Sequence, residues 1–201
     1  MNVYDFDNTI YDGESVFDFY LYSVRRQPKL IRYLFVVVKA FFKYKLCRIT
    51  TEEFEKIAEK YAQNYLSQLK DIDFLIKDFW DKNQHKIKHF YLCSRREDDV
   101  IISASIGFLL EELFSRIGVK NYLATEVDKT TGEVQKICYR KNKVQLFHSR
   151  FPGAEIENFY TDSKNDAAMM QIANRTYMVR GEDLELIDEA SCEEFALNHI
   201  G

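Results

Sequence analysis

A short strand pattern at the start of the chain runs directly into two carboxylates and a hydroxyl. Residues 1–4 are followed by Asp5-Phe6-Asp7-Asn8-Thr9. Alternate residues of an extended chain point the same way, so we expect Asp5 and Asp7 to face one site where the strand ends. Adjacent carboxylates repel unless a cation lies between them or one binds a proton. The pentapeptide therefore predicts a site for a hard cation such as Mg2+, which would also bind a phosphate; the alternative is a solvated Asp-x-Asp pair.

Three later segments place polar side chains beside strand and helix patterns. A buried-strand pattern over 99–105 ends in Ser103 and Ser105 and precedes a helical pattern from Leu109 to Ile117. Lys141 and Lys143 stand at the head of another helical pattern. The acidic pair Asp162 and Asp166 lies between a strand pattern and the helical pattern 167–173. The chain order is therefore acidic pair, serine, lysine and acidic pair, each at or near the carboxyl end of a strand.

This series resembles the four motifs of the haloacid dehalogenase-like hydrolase superfamily, and the resemblance covers almost the whole chain. The segments Ile102-Ser103-Ala104-Ser105 and 138–144 resemble the branch that contains phosphoserine phosphatases and related small phosphatases. The resemblance implies an α/β fold with a doubly wound, Rossmann-like parallel-sheet core and an inserted all-helical cap domain. It also implies a Mg2+-dependent phosphomonoester hydrolase that forms an aspartyl-phosphate.

The resemblance assigns a role to each acidic residue of the series. Asp5 would be the nucleophile and a metal ligand, and Asp7 the general acid and base, with its backbone carbonyl on the metal. Asp162 would complete the metal site, and Asp166 would hold the water shell of the ion or orient the lysine. Because Asp7 can protonate an alkoxide, hydrolysis of a phosphomonoester is expected, whereas dehalogenase relatives lack this Asp and transport ATPases have Thr there.

The remaining site residues are expected to bind the substrate. Lys143 would offset charge on the phosphoryl group and on Asp5, with Lys141 as the alternative lysine. The phosphate-binding and substrate-binding candidates are Thr9, Ser103, Ala104, Asn165 and Glu14. Glu14 lies seven residues after Asp7, where phosphoserine phosphatases use an acidic residue on the amino group of the substrate. The arginine that those enzymes use for the carboxylate has no match, so free phosphoserine is the weaker candidate.

The segment 13–88 is almost entirely helical in pattern, which predicts the cap. A capping signal at Thr51-Glu52-Glu53-Phe54 starts one helix, and Asp71 opens another that runs to Trp80. The resulting division is a discontinuous core of 1–12 and 89–201 with a cap of 13–88. Such a cap closes over the site and selects the substrate.

One cap segment is strongly basic. Residues 19–51 contain no acidic residue. On a helix over 28–45, Lys29, Arg32, Lys39 and Lys43 would form a stripe beside an apolar surface, as in an interfacial helix. Contact with an anionic membrane and a lipid phosphate such as phosphatidylglycerophosphate are then candidates. The alternative is a cap helix whose cations only keep it soluble. The basic residues of the segment are Arg25, Arg26, Lys29, Arg32, Lys39, Lys43, Lys45 and Arg48.

Composition is typical of a soluble α/β enzyme. The 201 residues are 46% hydrophobic and carry a net charge of −4. The 4 cysteines form no CxxC pair, so reduced thiols are expected. We find no signal-peptide pattern, and we expect a cytoplasmic protein, peripheral to a membrane if the basic helix binds lipid, with no nucleic-acid partner. The alternatives in function are a small-molecule phosphatase, acting on a phosphoserine-like or sugar phosphate, and a catalytically idle protein that binds a membrane or an acidic partner.

Overall fold

A mixed sheet organises the fold. The structure, a computed structural model, describes residues 1–33, 35, 60, 63–188, 192 and 195. In this part of the chain the sheet has 7 strands in the order β4-β3-β2-β1-β5-β6-β7. Neighbouring strands from β3 to β6 are parallel, and the pairs β3–β4 and β6–β7 are antiparallel. The strands are β1 (Asn2–Tyr4), β2 (Val100–Ile106), β3 (Asn121–Val127), β4 (Val134–Lys136), β5 (Ile156–Thr161), β6 (Ala173–Arg180) and β7 (Asp183–Ile187).

Helices cover both faces of this sheet, which confirms the predicted doubly wound α/β fold. Short 3₁₀ turns cover Pro28–Leu30, Gln84–Lys86 and Lys164–Asp166, and residues 31–33 and 63–68 are helical. The remaining helices are α1 (Ser15–Arg26), α2 (Ile72–Asn83), α3 (His89–Ser94), α4 (Gly107–Ile117), α5 (Lys141–Arg150) and α6 (Ala167–Met170).

Alternation along the central strands produces two hydrophobic layers. Tyr4 and Ile101 face a cluster shared with α1, α2 and α4, whereas Val3 and Ile102 face a second cluster shared with α5 and α6. All four side chains are buried, as expected for strands covered on both faces. β1 lies at the centre of the sheet, with β2, β3 and β4 on one side of it and β5, β6 and β7 on the other. The strand order therefore changes direction at β1. Ligands of such sheets bind at the carboxyl ends of the strands at this point.

The described part of the predicted cap packs directly on the core. Phe79 and Trp80 of α2 are fully buried in the cluster that contains Tyr4, and the Trp80 indole donates a hydrogen bond to the Leu109 carbonyl at 2.6 Å. Hydrogen bonds from Asp12 N to Lys86 O and from Lys88 N to Ile10 O join the two connections between core and cap. The division at 12/13 and 88/89 stays a prediction.

Several sequence-based expectations have definite outcomes. The helix predicted over 167–173 ends at Met170, because Ala173 already pairs with Ile156 as the start of β6. The helix predicted from Thr51, as well as Lys39 and Lys43 of the basic stripe, lies outside the described residues. Within the described ranges, no helix is long and apolar enough to cross a membrane.

Candidate active site

A cavity of about 180 Å3 opens at the carboxyl ends of β1, β2 and β5. Asp5 and Asp7 follow β1, Ala104 lies in β2, and Asp162 follows β5, so the topology brings three sequence motifs to one edge of the sheet. A larger cavity, of about 510 Å3, lies beside β6 and β7 but lacks a comparable cluster of carboxylates. The residues that line the smaller cavity are Asp5, Asp7, Asn8, Glu14, Ala104, Tyr139, Lys143, Asp162, Ser163, Asn165 and Asp166.

Lys143 connects two carboxylates beneath this cavity. Its Nζ lies 2.7 Å from Asp5 Oδ1 and 2.7 Å from Asp166 Oδ1, and the lysine is only 2% exposed. Lys141, two residues earlier, is exposed. The structure therefore brings Lys143, rather than Lys141, to Asp5. The other oxygen of Asp166, Oδ2, accepts a hydrogen bond from the Thr161 hydroxyl at 2.9 Å, and the choice between its two expected roles stays a prediction.

Burial and charge act in opposite directions on this group of residues. Burial raises the pKa of Asp5 to about 7, with the charges of Asp166 and Asp7 adding to it and Lys143 opposing it. Burial lowers the pKa of Lys143, but the carboxylates of Asp166 and Asp5 outweigh it and the net shift is upward. The raised pKa of Asp5 favours a protonated, neutral Asp5, whereas the raised pKa of Lys143 favours an ion pair between the ammonium and the carboxylates. Contacts of 2.7 Å are those of charge-assisted hydrogen bonds, so the ion pair is the form that the geometry supports.

Thr9 joins Asp5 to Asp162. Its hydroxyl accepts a hydrogen bond from Asp162 N at 2.9 Å and lies 3.3 Å from both Asp5 Oδ2 and Asp162 Oδ1. Thr9 is fully buried and does not line the cavity. The Thr9 hydroxyl thus has partners within the protein on both carboxylates, and its expected contact with phosphate stays a prediction.

The residues around Thr9 fit a Mg2+ ion. The single hydrogen of the Thr9 hydroxyl can go to Asp5 Oδ2 or to Asp162 Oδ1 but not to both, so one of these two oxygens lacks that donor. Burial raises the pKa of Asp162, which a nearby cation would reverse. In the described part of the chain, no three His, Cys, Asp or Glu side chains converge as ligands. A cation would therefore depend on Asp5, Asp162, backbone oxygen and water, and Mg2+ usually retains several waters.

The Asp7 carboxylate is held by two serines that lie outside the first motif, residues 5–9. Ser15 N donates to Asp7 Oδ1 at 2.7 Å, and the Ser105 hydroxyl donates to Asp7 Oδ2. Burial raises the pKa of Asp7, while the bonds from Ser105 and Ser15 oppose the shift. A carboxyl with a raised pKa that still faces the cavity is suited to carry a proton to a leaving group.

The other predicted substrate-binding residues differ in their access to the cavity. Ala104, Asn165 and Glu14 are exposed and line it. Glu14 accepts a hydrogen bond of 2.6 Å from Asn8 Nδ2, and burial together with the Asp7 charge raises its pKa. Ser103 is buried behind the lining, where its Oγ accepts from Ser105 N at 3.0 Å. Its contact with phosphate stays a prediction.

Sequence reasoning missed four residues that shape the site. Ser15 and Ser105 hold Asp7, Tyr139 lines the cavity, and the buried Lys88 donates to the Asn8 carbonyl. Asn8 has a positive φ of 55°, a conformation that Asn tolerates better than most residues. Ser105 stands in the segment Ile102-Ser103-Ala104-Ser105 that resembles the second motif, but no role was assigned to it from the sequence. Ser15 and Lys88 carry no motif signal, because only the folded chain brings them to Asp7 and Asn8.

A family model for haloacid dehalogenase-like hydrolases matches residues 3–171, a range that spans every residue of the site. The chain belongs to this family. The predicted superfamily is thereby confirmed. No curated protein matches the chain in sequence.

Solved structures with the same fold include members of the branch named from the sequence. A Bordetella pertussis protein of unknown function has 16% identity and a TM-score of 0.62, with 88% of this chain and 87% of that chain covered. A phosphoserine phosphohydrolase-like protein from Francisella tularensis has 14% identity and a TM-score of 0.55, with coverage of 88% and 86%. A probable phosphoserine phosphatase from Vibrio cholerae has 10% identity and a TM-score of 0.58, with coverage of 87% and 55%. At these identities the likeness shows the fold.

Proposed function

We propose that this member of the family hydrolyses phosphomonoesters through an aspartyl-phosphate on Asp5 and that it requires Mg2+. The main support is the arrangement around Asp5, whose two oxygens have different partners. Oδ1 is held by the buried Lys143, and Oδ2 lies beside Thr9, which also holds Asp162. A second carboxyl, Asp7, is held in the same cavity by hydrogen bonds from Ser15 and Ser105. This arrangement supports attack by Asp5 and proton transfer by Asp7.

In the first step an Asp5 oxygen forms a bond to phosphorus while the bond from phosphorus to the leaving oxygen breaks. The electron pair of the broken bond stays on the leaving oxygen, which receives the proton carried by Asp7. The products are the free alcohol and the aspartyl-phosphate. Lys143 offsets the negative charge that gathers around Asp5 and the phosphoryl oxygens, and Asp166 holds its ammonium in place.

In the second step water attacks phosphorus and the bond from phosphorus to Asp5 breaks. Asp7, now a carboxylate, accepts the proton that the attacking water loses. Inorganic phosphate leaves, and both aspartates return to their initial states. Mg2+ bound by Asp5, Asp162 and the Asp7 carbonyl would polarise the phosphoryl group and neutralise its charge.

Turnover of an aryl phosphate with added Mg2+ tests this function. We expect hydrolysis by the wild type and loss of about a hundredfold or more in Asp5→Asn, because removal of a nucleophile eliminates the covalent route. Lys141→Gln, an exposed change near the site, is the matched control and should retain activity. A wild type that binds vesicles or an acidic partner but never hydrolyses a phosphate ester would instead support the idle binding protein.

A lipid phosphate is the second candidate, as the substrate of the same site. The side chains of Phe17 and Phe35 are 50% and 68% exposed, and Ile31 is 38% exposed. Lys29 and Arg32, which flank Ile31 in the chain, are exposed too. Exposed apolar side chains interspersed with cations are the composition of a segment that inserts into an anionic membrane surface. A small phosphate ester such as phosphoserine or a sugar phosphate needs no such surface, and comparison of both substrate types decides between them.

A further inference from the structure

The Asp7 carboxylate depends for its orientation on two residues from distant parts of the chain. Ser15 is the first residue of α1, at the start of the predicted cap, and Ser105 lies in β2 of the core. The Ser15 amide donates to Asp7 Oδ1 at 2.7 Å, and the Ser105 hydroxyl donates to Asp7 Oδ2. Each carboxylate oxygen is therefore fixed by one donor, and the two donors come from opposite sides of the connection at residues 12–14.

The two serine hydroxyls are also joined to each other. Ser15 Oγ lies 3.0 Å from Ser105 Oγ. The single hydrogen of the Ser105 hydroxyl goes to Asp7, so this oxygen must accept the hydrogen of Ser15. The result is a directed chain from Ser15 through Ser105 to Asp7. Both serines are buried, so water cannot readily replace either hydroxyl.

The chain of hydroxyls leaves Asp7 free to exchange a proton with a substrate. Asp7 lines the cavity, and each of its oxygens has a second lone pair that neither serine uses. A carboxyl that could rotate about its side-chain torsions would point at the leaving oxygen only part of the time. Two donors on two oxygens remove that freedom, which is what proton transfer in a fixed geometry requires.

We propose that Ser15 and Ser105 are positioning residues that hold the Asp7 carboxyl toward the leaving oxygen of the substrate. This inference rests on the proposed phosphomonoesterase function. Because Ser15 begins α1, correct placement of the acid also depends on the contact of this helix with β2. Neither serine is expected to touch the substrate or the reacting atoms.

Leaving-group dependence separates this role from a general structural one. Proton donation matters for an alkyl phosphate, whose alkoxide is a poor leaving group, and matters little for an aryl phosphate with an electron-withdrawing ring. General acid catalysis is worth about 10²–10⁴-fold, so partial loss of positioning in Ser105→Ala should lower kcat/KM for the alkyl phosphate by about tenfold or more. The kcat/KM for the aryl phosphate should stay close to the wild-type value. Ser15→Ala retains its amide donor and should show a smaller effect in the same direction.

Three controls keep the result interpretable. Ser105→Cys has nearly the same size but a weak donor, so it should behave like Ser105→Ala if the hydrogen bond matters. Ser23→Ala removes a buried hydroxyl from the same helix, where it bonds Tyr20 O and Tyr65, and should leave the ratio of alkyl to aryl activity unchanged. In an Asp7→Asn background, Ser105→Ala should cause no further change in that ratio, because the group it positions is already absent.

The outcomes have separate meanings. A wild type that hydrolyses neither ester refutes the proposed function itself. The positioning role is overturned if the wild type is active but Ser105→Ala and Ser105→Cys leave the ratio of alkyl to aryl phosphate kcat/KM unchanged, whether or not both values fall. Thermal unfolding of each variant shows whether it is folded at the assay temperature. If Ser105→Ala is unfolded, the ratio measured for Ser105→Cys decides alone.

Discussion

Removal of the buried charge of Lys143 should destabilise the fold and inactivate the site together. In Lys143→Met a side chain of similar length replaces the ammonium, and the Asp5 and Asp166 carboxylates, each 2.7 Å from it, lose their shared cation. Loss of one member of a buried ion pair costs about 3–5 kcal/mol, because the remaining charge is left uncompensated. The free energy of unfolding of the whole fold is expected to be about 5–15 kcal/mol, so the loss of the ion pair would remove a large fraction of it.

The free energy of unfolding that Lys143→Met loses relative to the wild type should depend on pH in a defined direction. Burial already raises the pKa of Asp5, and loss of Lys143 removes the charge that opposes this shift. A carboxyl whose pKa is higher in the folded state binds a proton more tightly there. It therefore stabilises the fold below its unfolded pKa of about 3.9, and this contribution is lost as the pH rises through the folded value. We expect the deficit of Lys143→Met to be smaller at pH 5 than at pH 8.

Urea unfolding with EDTA present measures this effect, and the single tryptophan, the buried Trp80, supplies a fluorescence signal. The matched control is Lys141→Met, since Lys141 is exposed and should cost little. The double variant Lys143→Met/Asp166→Asn removes one of the two carboxylates and should recover part of the loss. If Lys143→Met were as stable as Lys141→Met at pH 8, Lys143 would not be the charge that holds these carboxylates together.

Three further predictions concern the metal, Thr9 and the basic surface. EDTA should stop turnover reversibly, with Mg2+ or Mn2+ restoring it and Ca2+ inhibiting, because Ca2+ prefers more ligands; full activity in excess EDTA would remove the metal from the mechanism. Thr9→Val keeps the shape but loses the hydroxyl, and should raise the Mg2+ concentration for half-maximal activity by about 10- to 100-fold, as a Mg2+ titration would show. Lys29→Gln/Arg32→Gln should weaken binding to phosphatidylglycerol vesicles at low salt by about 30-fold, at about 1 kcal/mol per cation. The control in vesicle flotation is Lys120→Gln/Lys136→Gln, which removes two cations elsewhere on the surface. If the two double variants bound vesicles equally well, a role of Lys29 and Arg32 in membrane binding would be refuted.

The parts of the site that could be predicted from the sequence are those set by short-range geometry. Alternation along β1 placed Asp5 and Asp7 at one strand end, and the parallel order of the sheet brought Asp162 to the same edge. The sequence favoured Lys143 through the resemblance but left Lys141 open, because both stand at the start of α5. The choice depends on which face of α5 turns toward the sheet, and that is decided by packing, with Phe147 buried one turn after Lys143.

Contacts between distant segments account for the remaining differences. The position of Thr9 after the acidic pair suggested contact with substrate, whereas its hydrogen bond from Asp162 could not be foreseen, because it depends on the approach of the segment that follows β5. Ser15 lies in a segment without a motif, and only the packing of α1 against β2 brings it to Asp7. The helix over 167–173 was predicted too long, since pairing in the sheet outweighs helix propensity at Ala173.

Identification of the phosphorylated residue tests the central claim most directly. In Asp7→Asn the aspartyl-phosphate should still form with an aryl phosphate but should break down slowly, because the base that activates water is absent. Rapid acid quench after mixing with the ester, followed by proteolysis and mass spectrometry, should find one phosphoryl group on Asp5. The double variant Asp5→Asn/Asp7→Asn should show none. A phosphoryl group on another residue, or the same label in both variants, would contradict covalent catalysis by Asp5.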